Sequence, residues 1–255
     1  MRKSILITAA ILSVAFAFGS AGCATESAGS DEAKKPAGSY KTAFLGDSLT
    51  DKGVYSDIVT EHYTDYLYEN CSFISSIQNV GYAGSCIAGL PDKQGVNPSF
   101  LQRYQRIASN VDLIIVLGGT NDFGYGSSTL PNPLGAYGDE TAETFYGALN
   151  ELIDGFSENY PSAKVVFVTP LYRREQESNG IPNKNKYGFT LADYADAIAD
   201  TCSKKNVTCF NAFREITEID AYTYEEYEVD GLHLNNAGNR LLGEYLAEKL
   251  SAVLD

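Results

Sequence analysis

The sequence predicts an α/β domain built on a parallel sheet of about five strands, with helices on both faces. Short apolar runs alternate with segments of helical periodicity, the pattern of a parallel sheet covered on both sides. One run, Val111-Asp112-Leu113-Ile114-Ile115-Val116-Leu117, is nearly continuous in apolar residues, as a central strand buried on both faces requires. Turn-rich segments, Asn121 to Asp139 and Tyr172 to Phe189, leave the ends of the third and fourth strands, where open parallel sheets place ligands.

In chain order, the strands are Thr42 to Leu45, Phe73 to Val80, Val111 to Leu117, Lys164 to Thr169 and Val207 to Phe210. Two weaker helices are expected over Val54 to Tyr68 and Ser99 to Ala108. A stronger one lies within Glu140 to Asn159, where Phe145, Leu149, Leu152, Ile153 and Phe156 recur at helical spacing and Pro161 follows the end. Leu191, Tyr194, Ala195, Ile198, Ala199 and Cys202 form another apolar stripe, which turns Cys202 toward the core. Leu241, Leu242, Tyr245, Leu246, Leu250 and Val253 mark a last helix over about Ala237 to Val253. The order is βαβαβαβαβα, without internal repeats.

Residues 1–23, MRKSILITAAILSVAFAFGSAGC, have a basic start, an apolar stretch from Ile5 to Phe18 and small residues before Cys23, the pattern of a signal peptide. Ser20-Ala21-Gly22-Cys23 resembles a bacterial lipoprotein processing box, although Ser20 stands where a branched aliphatic residue is usual. Lipid attachment at Cys23 would tether the protein to a membrane surface, and simple cleavage and secretion is the alternative. Residues 24–39 have no apolar period and read as a flexible linker, leaving 40–255 as one domain with a sizeable core.

Once Arg2 and Lys3 leave with the leader, 17 basic residues face 33 acidic ones, a net charge of −16. This balance argues against nucleic acid and anionic membranes as electrostatic partners, and says little about a neutral substrate. It does not bear on oligomeric state. Cys71, Cys86, Cys202 and Cys209 remain; export permits a Cys202–Cys209 disulfide, and two buried thiols are equally compatible with the pattern. No cysteine has metal-site spacing with histidine.

Gly46-Asp47-Ser48-Leu49-Thr50 closes the first apolar strand. A glycine there permits a tight turn, and a serine just beyond a strand can present its hydroxyl at the mouth of a sheet; the plainer reading is an ordinary turn. Three further blocks alter that balance: Asn79-Val80-Gly81-Tyr82-Ala83-Gly84 after the second strand, Gly119-Thr120-Asn121-Asp122 after the third, and Asp230-Gly231-Leu232-His233 before the last helix.

In these four blocks, taken in order, the chain resembles the SGNH hydrolases, also called the GDSL esterase and lipase family. The resemblance implies a three-layer α/β/α sandwich, flavodoxin-like, and ester hydrolysis through an acyl-serine intermediate without a cofactor. By matching position, Ser48 would be the nucleophile, His233 its general base and Asp230 the carboxylate that orients the imidazole. The oxyanion hole would comprise the backbone N–H groups of Ser48 and Gly84 and the side-chain amide of Asn121. The chemistry is consistent, since a serine hydroxyl needs a base within hydrogen-bond reach, and a carboxylate three residues before the histidine can curl back to its ring.

His62, the other histidine, is expected inside a helix among Ile58, Val59, Tyr66 and Leu67, as a packed or half-exposed residue. Asp47 and Asp122 are expected to bond turn amides rather than to form a glycosidase carboxylate pair. No metal cluster or phosphate-cradling loop competes. The expected substrate is a small-molecule or polysaccharide ester, with a small acyl group on an extracellular carbohydrate as the leading choice and Tyr125, Tyr137, Tyr172 and Tyr187 as candidate stacking surfaces. A lysophospholipase or thioesterase acting on lipid esters is the alternative within the enzyme class, and a non-catalytic surface binding protein the alternative outside it.

Overall fold

The structure, a computed structural model, describes residues 39–89, 98–124 and 132–254. The strands are β1 (Tyr40–Gly46), β2 (Ile74–Gly81), β3 (Leu113–Leu117), β4 (Lys164–Val168), a short β5 and β6 (Glu177–Ser178, Ile181–Pro182) and β7 (Thr208–Phe210). The helices are α1 (Tyr63–Asn70), α2 (Phe100–Arg103), α3 (Thr120–Phe123), α4 (Phe145–Asn159), α5 (Leu191–Lys204), α6 (Ala212–Glu215), α7 (Tyr224–Tyr227) and α8 (Asn236–Leu254). Five strands form one sheet in the order β2-β1-β3-β4-β7, all neighbours parallel; β5 and β6 make a separate antiparallel pair. This is the order of a flavodoxin-like sheet, whose switch point lies between β1 and β3.

Period-two alternation sends side chains of one strand into two cores. Ala43 and Leu45 of β1, Ile114 and Val116 of β3 and Phe167 of β4 pack with α4 and α5, where Leu149, Leu152, Phe156, Tyr194 and Ile198 are buried. Phe44, Leu113, Ile115, Leu117, Val166 and Val168 point the other way, onto Leu67 of α1 and Leu242, Leu246 and Leu250 of α8. Helices thus cover both faces, giving three layers. Their starts are capped by side chains: Thr144 Oγ1 accepts from Gly147 N, and Thr190 accepts from Asp193 N in a capping box.

Two helices differ from expectation. Val54 to Tyr68 is not continuous: residues 52–58 form turns, Tyr55 takes a left-handed φ of 55°, and α1 starts only at Tyr63. The apolar spacing there suits a helix, but tertiary bonds win; Asn236 Oδ1 takes the N–H groups of Thr60 and Glu61 at 2.9 and 3.2 Å. The expected helix over Ser99 to Ala108 is one turn, α2, that tightens into a 3₁₀ turn over Tyr104–Arg106. Cys202 is fully buried on α5, as its stripe predicts, and Cys71, Cys202 and Cys209 are free thiols.

Candidate active site

The first strand ends at Gly46, and the backbone turns at once: Thr50 N and Asp51 N both donate to Asp47 O, at 3.1 and 2.9 Å. Asp47, fully buried, accepts Leu49 N on Oδ1 at 2.9 Å. Burial pushes its carboxyl up to about 6, against the pull of the Leu49 amide and of His233. Between these two fixed points, Ser48 directs its hydroxyl outward.

The partner of that hydroxyl arrives on a hairpin before α8. An antiparallel bridge between Glu228 and Leu234 and a bond from Val229 N to His233 O, 2.7 Å, close the loop that carries Asp230 and His233. Asp230 Oδ1 accepts the N–H groups of Leu232 and His233 at 3.1 and 2.9 Å, so the carboxylate is fixed by its own loop. Its Oδ2 lies 2.8 Å from His233 Nδ1. His233 Nε2 lies 2.9 Å from Ser48 Oγ, 185 residues away in sequence. With a carboxylate accepting at Nδ1, the proton sits on that nitrogen and Nε2 accepts from the serine hydroxyl. Burial raises the Asp230 carboxyl, but the His233 amide and ring and the Tyr55 hydroxyl outweigh it and hold the group below the usual carboxylate range.

The two other blocks follow the strands on either side of β1. Gly84, with a left-handed φ of 73° that favours glycine, lies in the loop after β2, and Asn121 lies in α3 after β3. Side chains draw these loops together: Asn121 Nδ2 donates to Ser85 O at 3.0 Å, Ala83 N to Asp51 Oδ2 at 3.1 Å, and Asn79 Nδ2 to Thr50 O at 2.7 Å. A Cβ on Gly81 would sit 2.5 Å from backbone atoms of Thr50 and Asp51, so the close approach of the two loops requires glycine there.

The model of the family described as GDSL-like Lipase/Acylhydrolase matches residues 44–241 of this chain, a span that contains all four blocks. The chain belongs to that family. Among solved structures, a protein from Lactobacillus plantarum is 31% identical, with a TM-score of 0.70 over 84% of this chain and 98% of its own. A possible lipase from Chitinophaga pinensis, 19% identical, aligns with a TM-score of 0.62 over 84% of this chain and 98% of its own. A catalytic mutant of an acetylxylan esterase from Geobacillus stearothermophilus, 17% identical, aligns at 0.57 over 85% and 96%. These last two share the fold. No curated protein matches the sequence.

In this member of the GDSL-like family, several supporting residues escape a reading of motifs. Arg103 is 1% exposed beneath the site, where its guanidinium donates to Val80 O, to Gly46 O at 2.9 Å and to Ser85 Oγ at 2.7 Å. It thereby ties the ends of β1 and β2 to the loop that Asn121 grips. Burial lowers it to about 10, so it stays a cation. The signal was a charge on an otherwise apolar face, since Phe100, Tyr104 and Ile107 flank it at helical spacing. Asp122 reaches further than a turn, accepting Ile87 N, Ala88 N and Asn132 Nδ2 at 2.9, 2.9 and 2.8 Å.

Other expectations need correction. His62 is the N-cap of α1 rather than an interior residue: its Nδ1 accepts from Thr64 N, and burial lowers the ring to about 4. Tyr172 is 9% exposed within the core against α8 and is no stacking surface, whereas Tyr137 and Tyr187 are exposed. Tyr125 and Cys23 lie outside the described residues. Asn235 caps α8 by accepting Gly238 N at 3.1 Å.

Glu228, at the base of the hairpin that carries Asp230 and His233, is 4% exposed, and neither of its carboxyl oxygens has a hydrogen-bond partner among the described residues. Burial, then the charges of Asp230 and Glu175, push it from 4.5 up to about 8. The folded protein thus keeps a proton that the unfolded chain releases from about pH 4.5 upward. Its contribution to stability is whole below pH 4.5, declines from there to about 8, and is level above. Glu228→Gln should remove that decline, so urea unfolding of variant and wild type should diverge by up to about 1.4 kcal/mol per pH unit across the window. Parallel curves across that window would show that the carboxyl is ionised within the fold.

Proposed function

We propose that the protein is an exported serine esterase that cleaves carboxylic esters through an acyl-serine intermediate, and that its substrate carries a small acyl group on an extracellular carbohydrate. The observation that carries the mechanism is the unbroken chain Ser48 Oγ, His233 Nε2, His233 Nδ1, Asp230 Oδ2, with contacts of 2.9 and 2.8 Å. Such geometry makes a hydroxyl nucleophilic near neutral pH.

In this reading, Ser48 Oγ attacks the ester carbonyl carbon while its proton passes to His233 Nε2. The carbonyl oxygen becomes an oxyanion, received by the N–H groups of Ser48 and Gly84 and the Asn121 amide. Neither of those backbone N–H groups is spent on a hydrogen bond among the described residues. Collapse of the intermediate breaks the bond to the alkoxy oxygen, which leaves as an alcohol with the proton from Nε2. Water then attacks the acyl-serine, gives its proton to Nε2, and releases the acid as Ser48 regains its hydrogen.

The acetylxylan esterase that shares the fold makes acetylated xylo-oligosaccharides the first substrates to test. Export rests on residues 1–23, with Cys23 as the lipid attachment point in the anchored form. Acetate release from acetylated oligosaccharides and from short-chain chromogenic esters should exceed the release of acyl chains of eight carbons or more. A reversed preference would make the protein a lipid esterase.

A further inference from the structure

The loop after the nucleophile contains one residue whose backbone and side chain are both unusual. Apart from glycine, only Tyr55, Asn179 and Asn206 have positive φ among the described residues, and asparagine tolerates that region well. Tyr55 does not, yet it holds φ at 55°. Its backbone is clamped there: Val54 N donates to Asp51 O, while Ile58 N and Val59 N donate to Tyr55 O at 2.9 and 2.8 Å. Strain of this kind persists where the surrounding structure has a use for it.

The use is visible at the end of the side chain. The Tyr55 hydroxyl donates to Asp230 Oδ2 at 3.0 Å, the same oxygen that His233 Nδ1 approaches at 2.8 Å. Its ring lies edge-on to the imidazole, with centroids 5.5 Å apart. Asp230 therefore takes four donors: two backbone N–H groups of its own loop, the imidazole, and one hydroxyl from across the site. Only that hydroxyl comes from the loop that carries Ser48.

We propose that Tyr55 is a positioning residue that locks the Asp230–His233 hairpin onto the nucleophile loop and shares the charge of Asp230 Oδ2 with the imidazole. The inference rests on the acyl-serine reading above. It requires a phenol that stays protonated, and the hydrogen bond to Asp230, followed by that residue's charge, raises the Tyr55 hydroxyl above its ordinary range. The other charged or titratable groups around the pair are Glu228 on the same hairpin, Asp47 at the end of β1, and Arg174, which packs over Gly231 from the loop after β4.

Tyr55→Phe keeps the ring and deletes the bond. With the short-chain ester as substrate, kcat should fall roughly tenfold with KM little changed, because orientation of the base acts in the transition state and not in ground-state binding. Without the competing donor, Asp230 Oδ2 concentrates its charge on the imidazole, so the acidic limb of kcat/KM should move to higher pH by about half a unit. Tyr55→Gly relieves the backbone and removes the side chain, so it should show the same loss of kcat with no loss of melting temperature attributable to strain. In an Asp230→Asn background, Tyr55→Phe should cost little more, since the pair acts through one oxygen. Ser48→Ala is the parallel control. If it is inactive while Tyr55→Phe matches wild type in kcat and pH profile, the tyrosine has no positioning role and the acyl-serine reading stands. If Ser48→Ala hydrolyses ester at the wild-type rate, both fall together.

Discussion

Ser48→Ala is expected to lower ester hydrolysis by roughly 10⁶-fold, the loss that follows removal of the nucleophile from a serine triad. The same variant should melt within about 0.5 kcal/mol of wild type, because among the described residues the hydroxyl makes one hydrogen bond, to His233. A fluorophosphonate probe should label the wild type and fail to label the variant. Wild-type turnover by Ser48→Ala would remove the acyl-serine mechanism outright. If the wild type binds acylated sugar yet neither hydrolyses it nor takes the probe, the protein is a surface binding module on a hydrolase fold.

Asp230→Asn should cost roughly 10⁴-fold in kcat while leaving the hairpin closed. The amide oxygen can still accept from Leu232 N and His233 N, as Oδ1 does now, so the loop keeps its shape. The amide nitrogen, however, presents a donor to His233 Nδ1. The imidazole proton is then driven to Nε2, and the Ser48 hydroxyl loses its acceptor. The decrease should appear in kcat at every pH tested. A decrease of less than tenfold would mean that backbone geometry alone orients the histidine.

Much of this arrangement is legible in the residues because it is local or periodic. The near-continuous apolar run at Leu113–Leu117 marks the sheet centre, and the glycine-rich blocks follow the ends of β1, β2 and β3 because reacting groups there need turns and close backbone approach. Asp230 and His233 are three residues apart, so their contact needs no knowledge of the fold. The chain from Val54 to Tyr68 misleads for the opposite reason: its apolar spacing is helical, yet Asn236, more than 170 residues on, takes the backbone donors that a helix start would leave free. Tyr55 is silent in the same way, since its partner is 175 residues distant. Arg103 speaks only as an oddity, a cation in an apolar stripe, until the three acceptors around it are seen.

The hairpin that carries both Asp230 and His233 has a mechanical consequence. Where a triad is drawn from three separate segments, breathing between layers can spoil two independent alignments. Here the acid and the imidazole ride on one short loop pinned by its own amides, so relative drift of sheet and helices leaves their mutual geometry intact and changes only the contacts to the nucleophile loop, Ser48 to His233 and Tyr55 to Asp230. Alignment of hydroxyl, imidazole and carboxylate is thereby reduced to the placement of one hairpin against one loop.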